Sequence, residues 1–253
     1  MDRNLSKQEL TAHKDAALAR LDAYMTSLIE DSNPSIQGKS DKLSYWIEDW
    51  TTFLEFESEF SPKSLRRYKR GEIIKAHLGY NVGSEEGGLH YCVVVEKNNS
   101  KNSPIVTVVP LTSIKSKTDL NKLHKGNVYL GNELFTNLNS KITHAQKSLI
   151  TQITSLVDSI KESNDDSSEE EKNTLFKELK DCQENLNLIR RMQTEVQKMK
   201  IGSIALIPQT RTISKIRIYD PKTNYDILSN IKLSNEKLDL LDEAVINLYT
   251  GRK

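Results

Sequence analysis

The sequence predicts an α+β chain, in which two N-terminal helices precede a small β-barrel and a long helical hairpin separates two stretches of β-structure. Three observations predict it. Seven of the ten glycines fall between Gly71 and Gly131, where short apolar runs alternate with turn residues. Neither glycine nor proline occurs between Asn132 and Ile201. Inside that Gly- and Pro-free stretch apolar residues recur in steps of four and three, the spacing of paired helices.

Residues 1–66 read as helical. Ser6 with Glu9 three residues on forms a capping box, and Leu10, Ala17, Leu21, Tyr24, Leu28 and Ile29 supply an apolar face. Asp31-Ser32-Asn33-Pro34 stops this helix. A second runs from about Ser40 to Phe60 on Leu43, Trp46, Ile47, Trp50, Phe53 and Leu54, and Pro62 ends it.

Residues 68–131 read as β. Glu72 to Leu78, Tyr91 to Val95 and Ile105 to Val109 are strand-like runs, the last closing at Pro110. Several closely spaced short strands suggest a small barrel. Between the first two runs lies Gly83-Ser84-Glu85-Glu86-Gly87-Gly88, a loop whose glycines let backbone approach a ligand. It is not a P-loop, because no Gly-Lys-Ser/Thr ends it.

Residues 132–199 read as an antiparallel coiled-coil hairpin. The first arm has a seam of Leu138, Ile142, Ala145, Leu149, Ile153, Leu156 and Ile160, with one extra four-step after Leu149 that unwinds a supercoil locally. The second arm keeps strict 4-3 spacing through Leu175, Leu179, Cys182, Leu186, Ile189, Gln193 and Val196. The linker from Glu162 to Ser168 reads as a turn that supplies the next N-cap. A structural spacer and a partner-docking arm fit this hairpin equally well. Beyond it Ser203 to Pro208 is a strand run, Thr212 to Tyr219 alternates with period two, and a helix capped by Ser234 runs to Tyr249.

Composition narrows the function classes. The chain of 253 residues has room for one large domain or two modest ones. A net charge of +1 advertises no bulk affinity for nucleic acid, so any basic surface is local. The two cysteines, Cys92 and Cys182, read as buried reduced thiols, and no Cys/His cluster has metal-ligand spacing. No apolar run is long enough to span a membrane, and the N-terminus lacks a signal peptide's apolar core. We read a soluble cytoplasmic protein without a cofactor.

Five pieces then fall in a familiar order and spacing: Arg70-Gly71-Glu72-Ile73, Val82 to Gly88, Val93-Val94-Val95, Ser103-Pro104 and Pro110-Leu111-Thr112-Ser113. They resemble the N-terminal half of MazF/PemK/Kid-type toxins. Gln209 to Lys215 resembles that family's later strand motif, and the terminal helix fits its closing helix. The resemblance covers 68–131 and 200–253. It makes 132–199 an insertion within the toxin domain and 1–66 an N-terminal addition. It implies an SH3-like β-barrel, usually a homodimer, and a metal-independent endoribonuclease that cleaves single-stranded RNA by attack of a ribose 2′-OH on the adjacent phosphate. It also implies an antitoxin partner; the hairpin offers a second surface for that or another protein.

The family's catalytic pair is an Arg just after the glycine loop and a Thr or Ser at the end of the third strand. Thr112 holds the second position. His90 stands where the Arg is usual. An Arg is a permanent cation that grips phosphate bidentately, whereas a His with an ordinary pKa of about 6.5 exchanges a proton near neutrality. His90 therefore suits general acid–base work better than charge clamping. On the resemblance Thr112 hydrogen-bonds the phosphate, Glu85 orients His90, and Arg211 or Lys215 supplies fixed charge. Ser84, Ser113 and Gln209 complete the RNA-binding set. The alternative is a catalytically degenerate MazF/CcdB-like module that binds protein or RNA without cutting.

One segment stands apart. Glu48 to Phe60 carries many acidic and aromatic residues and no base. Such a segment can imitate phosphates and stacked bases and cover an RNA groove. It is equally an amphipathic helix that packs on its neighbour.

Overall fold

The structure is a computed structural model and describes residues 5–162 and 168–250. The chain divides into two compact units, residues 1–59 and 60–253.

The first unit is a pair of helices, α1 (Lys7–Ile29) and α2 (Pro34–Phe56). Ser6 and Glu9 form the capping box expected of α1. The Asn33-Pro34 stop is also a start: Asn33 caps α2 by accepting from the Ser35 amide and Pro34 fills the first turn, where its missing N–H costs nothing. The second helix therefore begins six residues earlier than its apolar pattern suggested. The Gln37 amide closes the turn on the carbonyls of Ile29 and Asp31. Of the apolar face expected on α1 only Leu28 is buried, while Leu10, Tyr24 and Ile29 are exposed. On α2 Trp46 and Phe53 pack ring against ring, with centroids 6.4 Å apart.

The second unit is built on an antiparallel sheet of β1 (Ile73–His77), β2 (Leu89–Val94), β3 (Ile105–Ser113), β4 (Asn127–Gly131), β5 (Ser203–Leu206), β6 (Arg211–Ser214) and β7 (Ile218–Asp220). The order is β4-β5-β3-β2-β1-β7, with β6 beside β3. β3 is the spine. It pairs with β2 on one edge and, in succession, with β6 and β5 on the other. The 3-10 turn Ile207–Gln209 separates β5 from β6, so the two form one interrupted strand. No pairing joins β4 to β7 among the described residues, and the sheet is not closed. The single strand expected over Thr212 to Tyr219 is broken by a 3-10 turn at Lys215–Arg217.

Alternation along the strands gives the sheet two apolar faces. Ile73, Val93, Val109, Leu111 and Ala205 belong to one core, which continues into Leu134, Leu138 and Ile142. Ile74, Ala76, Cys92, Val94, Val106, Val108 and Ile213 belong to the other, closed by Tyr68 and Leu65. Helix α5 (Asn235–Tyr249), capped by Ser234, packs Leu238 and Leu241 onto the first core.

Helices α3 (Glu133–Glu162) and α4 (Glu169–Lys198) form the hairpin. Ser168 and Glu171 make a capping box at the start of α4, while the rest of the expected turn, Ser163 to Ser167, lies outside the described residues. The Asn185 amide reaches Gln152 across the pair at 3.1 Å. Lys75, Tyr91 and Glu195 tie α4 to the first face of the sheet: the Glu195 carboxylate accepts from the Lys75 ammonium and from the Tyr91 hydroxyl. The seam differs from the expected 4-3 pattern. Leu149, Leu156, Cys182 and Ile189 are buried, but Ile153, Ile160, Leu179 and Leu186 are exposed. Two helices alone cover one apolar line each, and the second line of the repeat faces outward.

Candidate active site

The site assembles at the end of the second sheet face, around the glycine loop. Gly87 must be glycine there, since a Cβ would come within 2.7 Å of the Gly79 carbonyl oxygen. Gly88 holds a φ of 82°, and its amide donates to the same carbonyl. This pinch returns the chain into β2 and sets Glu86 and His90 side by side.

His90 Nε2 lies 2.9 Å from a Glu86 carboxylate oxygen. Its Nδ1 lies 3.3 Å from the Leu111 carbonyl oxygen, on the peptide that leads into Thr112. Both ring nitrogens therefore face acceptors, and only the imidazolium can donate from both. The Glu86 hydrogen bond, with its charge, raises the His90 pKa against the opposing effect of burial. The same contact lowers that of Glu86, helped by the charges of Lys115 and Arg211. His90 is thus a cation in the position where an Arg is usual.

Cys92 faces Pro110 across the β2–β3 ladder, so two residues further along these strands lie His90 and Thr112. Alternation puts both on the face of Cys92 and Val108, and both are half-buried. Arg211 pairs with Val108 in the β6–β3 register and shares that face. The Cys92 thiol, pushed up to about 12 by burial, feels the opposing charges of Arg211 and Glu86.

Gln209 connects these parts. Its side-chain oxygen accepts from the Glu86 amide at 3.2 Å and from the Arg211 guanidinium at 3.0 Å, and its amide donates to the Ser84 carbonyl. The glycine loop and β6 are held together through this one side chain.

Three expectations are corrected. Glu86, not Glu85, contacts His90; Glu85 is exposed in the turn closed on Val82. Lys215 is buried, with its ammonium on the Ser100 carbonyl and 5.8 Å from the Tyr68 ring centroid, so it is closed to an RNA strand. The 3-10 turn that breaks the expected strand carries it there. Ser113 alternates onto the face of Leu111, away from Thr112. Ser84, Gln209 and Arg211 do gather at the loop. Lys115, near enough for its charge to act on Glu86, carries no motif that sequence reading could have used.

Residues 69–165 match the model of the PemK-like, MazF-like toxin of type II toxin-antitoxin systems. This chain carries a PemK/MazF-like toxin domain. The match spans β1 to β4 and the glycine loop, while β5, β6 and β7, which complete the same sheet, lie beyond it. A comparison with curated proteins finds no match. No helix among the described residues is long and apolar enough to cross a membrane.

Proposed function

We propose that this toxin domain is an endoribonuclease that cleaves single-stranded RNA without a metal ion. The observation that carries the reading is the His90 imidazolium, held between Glu86 and the Leu111 carbonyl on the face it shares with Thr112 and Arg211. In the reaction the ribose 2′-oxygen attacks phosphorus and the bond to the 5′-oxygen breaks. Glu86 takes the 2′-OH proton, and His90 delivers one to the departing 5′-oxygen. Arg211 and the Thr112 hydroxyl hold the phosphate as its charge grows. The products are a cyclic 2′,3′-phosphate and a free 5′-OH.

The fold fits the same proposal. We read the open sheet, with β3 shared between two groups of strands, as the SH3-like barrel of this family, interrupted by 132–199 as a coiled-coil insertion and extended by 1–66. A homodimer in the cytoplasm, restrained by an antitoxin, belongs to the same reading.

The purified chain is incubated with a mixed single-stranded RNA and a chelator at low salt, and the ends are analysed. Cyclic phosphate ends that vanish in His90→Ala support the proposal. Equal cutting by both proteins removes His90 from the chemistry. Absence of cutting by either, with RNA or a protein retained, returns the alternative of a non-catalytic binding module.

A further inference from the structure

The hairpin leaves one of its two apolar lines open. On α4 the buried line is Leu175, Cys182, Ile189 and Val196, at seven-residue spacing. The other half of the repeat, Leu179 and Leu186, is 55% and 38% exposed, and Phe176 beside it is 70% exposed. On α3 Ile150, Ile153, Val157 and Ile160 are exposed at three- and four-residue steps. The two open lines share one groove of about 480 Å³, floored by Leu149, Leu156 and Cys182, and no acidic side chain among the described residues lines it. An apolar face this wide belongs to a bundle of more than two helices.

Charge selects the occupant. Lys172, Phe176, Leu179, Gln183, Leu186 and Arg190 follow one another in steps of four and three, so the open line of α4 begins and ends on a base. Both bases are exposed. A second copy mated along this line meets like charge in either direction. Antiparallel, Lys172 falls opposite Arg190, since both stand nine residues from the midpoint at Asp181. Parallel, each faces its own copy. Lys172 and Arg190 lie about 27 Å apart at 1.5 Å per residue, the length of a five-turn helix.

We propose that the groove of the hairpin receives one further α-helix, an amphipathic segment with aliphatic residues at heptad spacing and acidic residues near both ends. This is helix-in-groove recognition, with apolar anchors for affinity and terminal charges for choice of partner. It is independent of the ribonuclease reading, because it uses none of the residues around His90.

Two labelled synthetic peptides of five turns test it. They share aliphatic heptads and differ only at their ends, Glu in one and Lys in the other. Fluorescence anisotropy with the full chain should show the acidic peptide binding on the order of tenfold more tightly than the basic one. In the double variant Lys172→Glu, Arg190→Glu the preference should invert. Both substitutions are on exposed helix surface, and circular dichroism checks that the variant melts as the parent does. Equal binding of the two peptides, no binding of either at about 100 μM, or an unchanged preference in the reversed variant overturns the proposal. So does sedimentation of the parent alone as a dimer that Leu179→Glu dissociates.

Discussion

A carboxylate oxygen of Glu86 lies 2.9 Å from Nε2 of His90, four residues further along the chain, at the point where the glycine loop turns into β2. The contact makes a histidine do part of an arginine's work, because it favours the protonated ring. It also gives that cation a proton to release, which an arginine lacks.

The first prediction follows from this pair. NMR titration should place the His90 pKa above its ordinary value of about 6.5, and Glu86→Gln should lower it. The stability sign is fixed. A folded pKa above the unfolded one contributes stability that is full below about pH 6.5 and is lost as pH rises through the folded value. Glu86, with its pKa lowered, contributes above its unfolded value and loses that contribution as pH falls through the folded one. Unfolding in urea at several pH values should therefore show the pair's contribution peaking between the two. In Glu86→Gln this peak should disappear.

His90→Arg separates charge from proton transfer. It restores the fixed cation usual in the family and removes the titrating group. With His90 as general acid, the variant should bind RNA at least as well and cut roughly 100-fold more slowly. The falling alkaline limb of the parent's rate profile should be absent in it. Full activity in His90→Arg would mean that charge alone is needed at position 90.

Gln209→Ala should loosen the loop without unfolding the sheet. The side chain joins the Ser84 carbonyl, the Glu86 amide and Arg211 from an exposed position, so its loss should cost about 1 kcal/mol or less of stability. Hydrogen exchange should speed up at residues 84–88 but not in β3, and RNA affinity should fall together with the cutting rate.

Arg211 and Lys215 are four residues apart and were equivalent as sources of fixed charge in the sequence. Lys215→Met should cost about 1–3 kcal/mol, because it strands the buried Ser100 carbonyl, and should leave RNA affinity nearly unchanged. Arg211→Ala should do the reverse, weakening RNA binding with a small change in thermal midpoint. Melting curves and a filter-binding assay on the two variants read both effects.

The contrast between these two residues shows where sequence reading stopped. The helices, their Ser6, Ser168 and Ser234 caps and the turn at the glycine loop were legible, since each depends on local spacing and backbone chemistry. The residues gathered around His90 were legible through the resemblance. Lys215 was not, because period-two alternation across Thr212 to Tyr219 is unchanged by the 3-10 turn that rotates it inward. The choice between Glu85 and Glu86 was not legible either. Neighbouring acids differ only in which way a tight turn aims them, and the Gly79–Gly88 pinch that decides this is a long-range contact. The half-open seam of the hairpin escaped because 4-3 spacing tells which residues want cover and not how many helices provide it.

The last prediction concerns the joint between hairpin and sheet. Glu195 on α4 accepts from both Lys75 and Tyr91 on the first sheet face, and the side chains of Lys75 and Glu195 are only 19% and 14% exposed. Glu195→Ala leaves a largely buried ammonium and a phenol without their acceptor, which should cost about 2–4 kcal/mol, more than a surface pair yields. Lys75, which also lies 5.2 Å from the Tyr91 ring centroid, keeps part of its environment, so Glu195→Gln should cost less. Burial opposes ionisation of Glu195, but its two hydrogen bonds and the Lys75 charge win, and its pKa is lowered. Its contribution is therefore present above the unfolded pKa and lost as pH falls through the folded one. Thermal melts between pH 7 and pH 3 should show a smaller acid loss in Glu195→Gln than in the parent. Equal acid sensitivity would show that the hairpin is held by the apolar core from Leu134 to Ile142 and not by this ion pair.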